Sequence, residues 1–404
     1  MKLDWLKPLV RRPGPFVTVH IDATRADTRA DREMRDRWQG LRRDLLEQGC
    51  DETVLANLDD RVAEATGVGG RHGRILVATT EGVLLDRVLP VPPARDEAVC
   101  ASEPALLGAA RAGEEEVPHL LVEVDRSGAN LTWSYGTGVP GQDVETTVEG
   151  GHDELRKVPT GGWSQRRFQS RAEDSWERNA AAVAAEIDRI AGEKHPEAVL
   201  VTGDVRAVAL VREAVNPTHK ELLVELSGGS RAEGVKTDVF ESRVKEALDV
   251  VRARRREAVL DVFRQERGRA GAAVTGLADV VDALRRAQVR ELVLDEATTL
   301  PGSPLADRRL HVGPDPLQLG LSADDLASLG VQDGEGDELR ADIALVDAAV
   351  GSDAGITFAE TGSVELVDGV GAILRYEDAS TPDESLLTMG GDTHRQGRHR
   401  AVAR

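Results

Sequence analysis

Residues 158–171 read VPTGGWSQRRFQSR: two adjacent glycines, a tryptophan, then arginines and a phenylalanine leading into a helical pattern. Gly161 and Gly162 open backbone angles that are closed to residues with a Cβ. The stretch can therefore carry a side chain out past its own domain. Trp163 offers a flat face for stacking on a nucleobase. Arg166, Arg167 and Arg171 can neutralise phosphates, and Phe168 suits a role as anchor of the loop base. The opposing reading is a flexible loop whose Trp163 folds back onto its own domain. Spacing alone does not separate the two.

The chain around this patch is acidic. Its 404 residues hold 51 Lys and Arg against 71 Asp and Glu, a net charge of −20. Such a balance argues against indiscriminate coating of nucleic acid or anionic membrane and confines any RNA contact to local basic patches. The length implies two or three domains. Hydrophobic residues make up 40 % and aromatics only 3 %, so the cores rest on Val, Leu, Ile and Ala. Cys50 and Cys100 show no CxxC spacing and no neighbouring histidine cluster. They read as two thiols, buried or idle, in a reducing cytosol. The opening MKLDWLKPLVRRPGPF lacks the apolar stretch of a signal peptide. No run approaches the roughly 20 apolar residues of a membrane span. The expectation is a soluble cytoplasmic protein.

Periodicity predicts an α/β multidomain chain. FVTVHID, Phe16 to Asp22, alternates as a strand after a Pro-Gly-Pro break. Helices follow over about 27–48 and 52–65, then a hairpin with Glu81-Gly82 near its turn. A short helix and an acidic linker close a first domain, residues 1–113. A second domain, 117–268, opens with a hairpin over Leu120 to Asp125 and Asn130 to Tyr135, with DVETTVEG as a third strand. The glycine–tryptophan stretch comes next, then a helix over about 169–193. In that helix Trp176, Ala180, Val183, Ile187 and Ile190 mark one apolar face. AVLVTGD, a helix over 205–214 and ELLVEL continue the α/β succession. A long charged helix, straight or kinked, ends this domain. A third α/β domain, 271–377, takes ELRADIALVDAA as a helix and ends in the strand VDGVGAILRY. Residues 378–404 read as a disordered tail with a basic end at Arg395, Arg398, Arg400 and Arg404.

Catalytic signatures are missing. The sequence holds no P-loop, no G-x-S-x-G, no H-E-x-x-H and no zinc-type Cys/His spacing. GVGGRHG, Gly67 to Gly73, is glycine-rich but does not join a strand to a helix, so it reads as a plain loop. No catalytic residue, cofactor or metal site is assigned.

The stretch GGWSQRRFQSRAEDSWERNAAAVA resembles the central-domain motif of the archaeal and eukaryotic class-1 peptide release factors. That motif has Gly-Gly-Gln, a small polar residue, a basic residue with Phe, and then a helix rich in Arg and Glu. The hairpin LLVEVDRSGANLTWSYG and the ending GVGAILRY fit the same family over about residues 14–377. The specific likeness is to its bacterial, Pelota-like branch, which includes the ribosome hibernation factor Balon and its mycobacterial relatives. The resemblance implies three domains like the N-terminal, central (RNase H-like) and C-terminal (L7Ae-like) domains of those factors. It also implies a tRNA mimic in the A site of the 70S ribosome, with rRNA contacts from Gly161, Gly162, Trp163, Ser164, Gln165, Arg166, Arg167 and Arg171. Elongation factor Tu or another translational GTPase is the implied protein partner; neither membrane nor DNA is implied. Two departures stand out. The release glutamine is replaced by Trp163, whose indole has one N–H donor and no carbonyl, so peptide release is expected to be absent or feeble. The codon-reading Asn-Ile-Lys-Ser is absent, its place around 49–54 reading GCDETV. The expectation is a hibernation or stress factor. Its rivals are a peptidyl-tRNA hydrolase using Gln165 and a Pelota-like recycling factor.

Overall fold

The computed structural model describes residues 3–10, 12, 14–25, 30–68, 70–136, 143–149, 164–229, 238–269, 271–297, 303 and 305–376, without the side chains of residues 30, 164–174 and 238. The elbow glycines, Trp163 and the expected tail lie outside them.

The chain begins with a helical turn that becomes α1 (Lys7–Val10), which buries Leu9 and Val10. Strand β1 (Phe16–Asp22) is central in a four-stranded antiparallel sheet. After α2 (Ala30–Glu47) and α3 (Glu52–Ala63), the hairpin β2 (Gly73–Thr79) and β3 (Gly82–Leu89) forms as the sequence predicts. Strand β4 (Glu97–Ala101) completes the order β3-β2-β1-β4. Side chains alternate across a strand, and both faces of this sheet are apolar. Val17, Val19, Ile21, Leu76 and Ala78 pack with Met34, Trp38, Leu45, Val54, Leu55 and Leu58 of the helix pair. Phe16, Ile75, Val77 and Leu89 face the opposite way, into a larger core.

The cysteines differ from expectation. Cys50 and Cys100 form a disulfide with Cα atoms 6.0 Å apart. The antiparallel pairing of β4 with β1 sets Cys100 opposite Val17, and Cys50 closes the turn between α2 and α3, so two residues distant in sequence meet over one core. The GVGGRHG loop is structural: His72 is buried, with Nε2 2.7 Å from Thr66 Oγ1 and Nδ1 2.9 Å from the Gly70 carbonyl.

Helix α4 (Leu107–Glu115) leads to a second sheet built from β5 (His119–Val124), β6 (Gly128–Ser134) and β7 (Val144–Glu149). Helix α5 (Ser164–Lys194) then returns the chain to β8 (Ala198–Gly203). The segment ends with α6 (Val205–Ala214), α7 (Pro217–Lys220) and β9 (Leu223–Glu225). The strand order is β7-β6-β5-β8-β9, with β5, β8 and β9 parallel. Its core belongs to this segment alone: Leu120, Val122, Leu131 and Val199 against Val183, Ile187 and Ile190 of α5 and Val208 and Val211 of α6.

Helix α8 (Asp238–Gly268) is one continuous helix of 31 residues, about 46 Å at 1.5 Å per residue. Phe240 near its start is buried close to Thr202 of β8. Leu260 and Phe263 near its end pack on a third sheet. That sheet, order β10-β16-β11-β15, contains β10 (Ala273–Thr275), β11 (Val289–Asp295), β15 (Gly355–Ala359) and β16 (Val370–Leu374). Helix α9 (Leu277–Arg285) lies between β10 and β11. A small sheet of β12 (Arg309–Val312), β13 (Leu319–Gly320) and β14 (Asp337–Arg340) holds α10 (Ala323–Ser328) and leads into α11 (Ala341–Gly351). The expected helix from ELRADIALVDAA thus starts only at Ala341, because Asp337 to Arg340 pair with β12.

Every residue of α11 from Ala341 to Val350 is buried, as befits a helix enclosed on all sides. Its apolar surface joins Leu6, Leu9, Phe16, Ile75, Leu106 and Ala109 in one continuous core with Val280, Leu292 and Ile356. The first and third segments therefore share an interior, while the middle segment has its own.

Candidate functional site

Helix α5 is the element that directly follows the glycine–tryptophan stretch in the chain. Its second half supplies Ala180, Val183, Ala184, Ile187 and Ile190 to the middle core. Its first half continues beyond the sheet, because a helix of 31 residues spans about 46 Å while the neighbouring six-residue β8 spans about 20 Å. The helix starts at Ser164, five residues before the sequence-based start. Ser164, Gln165, Arg166, Arg167 and Arg171 thus belong to the opening turns of a helix, with Arg167 and Arg171 one turn apart. Gly161, Gly162 and Trp163 immediately precede it, outside the described residues.

Where α5 leaves the sheet it passes a collar that sequence reasoning missed. Strands β5 and β8 run parallel in register, Val124 opposite Gly203, so their carboxyl ends lie side by side. Open α/β sheets place ligands at such ends. Gly203 allows the approach: its φ is +129°, and a Cβ there would stand 1.8 Å from the Val124 carbonyl oxygen. Beyond it Asp204 caps α6, accepting from the N–H groups of Arg206 at 3.0 Å and Ala207 at 3.2 Å. These bonds, that of Ala207 foremost, hold the Asp204 carboxyl below its usual range. Arg126, from the β5–β6 turn, reaches Asp204 at 3.4 Å, and Asn179 of α5 donates to the Arg126 carbonyl at 2.9 Å.

The guanidinium carbons of Arg126 and Arg206 lie 5.1 and 4.7 Å from the ring centre of Trp176, within cation–π range. Trp176 is only half-buried, so the helical period that grouped it with the core residues overstated its burial. Val205, which precedes Arg206 in the chain, is 86 % exposed. The cue in the sequence was a tryptophan at the solvent end of an otherwise aliphatic stripe. The partners Arg126 and Arg206 come from two other elements, so no local pattern brings them together.

A second cluster of arginines joins the segments. Arg252 of α8 pairs with Glu115 and Asp249. Arg255 pairs with Glu197, and Arg256 lies within 3.6 Å of Glu114, Glu296 and Glu360. One helix face thus holds carboxylates from α4, from the α5–β8 link and from the loops after β11 and β15. Among the described residues no group of three or more His, Cys, Asp or Glu could hold a metal ion. No helix among them is long and apolar enough to cross a membrane.

Comparison with known proteins gives this architecture a context. Residues 118–269 match the model of bacterial archaeo-eukaryotic release factor family 2, the span that carries its own sheet and core together with α8. Two uncharacterized proteins of Mycobacterium tuberculosis, from strains CDC 1551 and H37Rv, are each 27 % identical over 382 residues, covering 93 % of this chain and 97 % of theirs. Among solved structures, the archaeal translation termination factor aRF1 is 15 % identical with a TM-score of 0.23, covering 92 % of this chain and 95 % of its own. The Saccharomyces cerevisiae termination-like factor Dom34 is 10 % identical with a TM-score of 0.36, covering 77 % and 81 %.

Proposed function

From the match of residues 118–269 to bacterial archaeo-eukaryotic release factor family 2, we propose a ribosome-binding translation factor of the hibernation or stress type. It occupies the A site of the 70S ribosome as a tRNA mimic and does not release peptide. The observation that carries this reading is the position of Gly161-Gly162-Trp163, inside the family-matched span and directly before a 31-residue helix. A rigid helix of that length is suited to deliver a loop far from the body of its domain. At its tip an indole, with one donor and no acceptor, stands where amide chemistry is required for release. It retains the ability to stack on a base. Ser164, Gln165, Arg166, Arg167 and Arg171 supply polar and phosphate contacts behind it.

In this reading residues 1–113 face the decoding centre, 117–268 carry the elbow, and 271–377 face a translational GTPase such as elongation factor Tu. The protein acts in the cytoplasm, and binding by shape with local arginine contacts accommodates a net charge of −20, which also suppresses stray RNA binding.

The test is co-sedimentation of the purified protein with vacant 70S ribosomes, with and without elongation factor Tu, with peptidyl-tRNA hydrolysis read in the same tubes. Stoichiometric binding without hydrolysis is the expected result. Hydrolysis would move the protein to the rescue enzymes and make Gln165, in the first turn of α5, the residue to replace. Subunit dissociation would move it to the recycling factors, and no binding would overturn the reading.

A further inference from the structure

A cavity lies beside the third sheet. It measures about 440 Å³ and is lined by Glu266, Arg269, Gly271, Ala272, Arg290, Ile373, Leu374 and Arg375. Three guanidinium groups and one carboxylate thus line one concavity in a protein of net charge −20. Three elements converge to build it: the end of α8, the start of β11 and the end of β16.

The groups are fixed by the fold in different degrees. Arg375 donates to the Ala287 carbonyl at 2.7 Å and to the Ser352 carbonyl at 2.6 Å. Two of its five N–H groups are thereby used, and the planar fork is held in place. Arg269 grips Glu266 through Nε at 3.0 Å and through Nη2. Glu266 also accepts from the Ala272 N–H at 3.0 Å. Its carboxylate is therefore committed to its neighbours, and its charge is offset by Arg269. Arg290 is exposed. The remainder is a positive site in which the fold holds Arg375 and Arg269 while Arg290 stands at the surface, and bidentate guanidinium contacts suit phosphate oxygens. None of the lining residues is aromatic, so nothing in the walls selects a base.

We propose that this cleft binds the phosphate groups of a diphosphate or larger phosphate chain, with Arg290 and Arg375 as direct ligands and Arg269 as the outer contact. The chemistry is shared by a free polyphosphate and by consecutive phosphates of an RNA backbone. The site goes beyond the elbow reading and does not depend on ribosome binding.

The experiment is calorimetric titration of the full chain with inorganic pyrophosphate and, separately, with a short single-stranded RNA of mixed sequence. Arg290→Gln and the double variant Arg269→Gln/Arg290→Gln are compared with Arg212→Gln, a charge-matched change on α6 in the middle segment. Thermal melts establish that each variant is folded. The expected result is saturable one-to-one binding of pyrophosphate, weakened about tenfold by Arg290→Gln through loss of a charge-assisted contact, further by the double variant, and unchanged by Arg212→Gln. Binding of RNA alone with the same dependence on Arg290 would assign the phosphate to a nucleic-acid backbone. Binding that all three variants weaken equally, or that none weakens, would overturn the site, as would no binding of either probe.

Discussion

Arg255 Nη1 donates to both carboxylate oxygens of Glu197, at 2.7 and 2.9 Å, joining α8 to the entry of β8 across 58 residues of chain. The same guanidinium donates to the Glu116 carbonyl at 3.1 Å and to that of Glu114. One side chain therefore fastens the exit of the first segment, the middle sheet and the long helix.

Replacing Arg255 with Gln leaves these acceptors in a partly buried joint, with the Arg255 side chain only 21 % exposed. The expected cost is about 2–3 kcal/mol in urea unfolding. Glu197→Gln should cost less, about 1 kcal/mol, because the two carbonyl contacts survive. The double variant should be less destabilised than the sum, and strict additivity would show that the pair is not coupled.

The elbow predicts a different pattern. Trp163→Ala should weaken ribosome binding by an amount typical of one stacked base, about 1–3 kcal/mol, and leave the melting temperature unchanged. Replacing Gly161 and Gly162 together with Ala removes backbone freedom and should also weaken binding. Unaltered co-sedimentation of both variants would make the elbow a passive loop.

The collar at the root of α5 is expected to be a matter of stability first. Arg126→Ala and Arg206→Ala should each cost about 0.5–1 kcal/mol through the lost cation–π contact. The cation–π part of each cost should vanish once Trp176 is replaced by Leu, leaving for Arg126 its contact with Asp204, and double-mutant cycles in chemical unfolding provide the check.

The interior shared by the first and third segments is sensitive to pH through opposing groups. Burial pushes the Glu103 carboxyl up to about 7 and the His20 imidazole down to about 4. Asp347, completely buried on α11, is raised well above its usual value by burial and by neighbouring Glu103 and Asp342. Folded Glu103 retains its proton above the pH at which the unfolded chain loses it, so its contribution to stability declines from about pH 4.5 to about pH 7. His20 acts the other way: only the unfolded chain takes up its proton between about pH 6.5 and pH 4, so stability falls as the solution is acidified through that window. Glu103→Gln should therefore stabilise the protein at pH 8 by about 1–2 kcal/mol, discounted for partial solvent exposure. It should change little at pH 4.5. Urea midpoints at the two pH values measure this, and an equal shift at both would reject the assignment.

Local pattern made much of the fold legible. Strand β1 has the bounds its alternation predicts, and α6 begins and ends at the predicted residues. Strand β4 escaped because EAVCA is short and its role as partner of β1 is a long-range pairing. Strand β14 was absorbed into α11 because that helix, buried on every side, shows no amphipathic boundary. The glycine–tryptophan stretch stood out in the sequence through its glycines and its family resemblance, and it lies outside the described residues. The collar of Arg126, Trp176 and Arg206 did not stand out, since only tertiary packing assembles it. The arginine cleft of the third sheet is illegible for the same reason: Arg269, Arg290 and Arg375 come from three separate elements.

Because α11 shares one continuous core with Phe16, Ile75 and Leu106 from the first segment and Leu292 and Ile356 from the third, the two outer segments are wedded. Neither end can be inherited, truncated or exchanged without leaving its companion with a bare apolar flank. The middle segment, whose core is wholly its own, is free of that bond. Its interior can diverge while the paired ends stay constant, provided the Glu197 contact with Arg255 is kept.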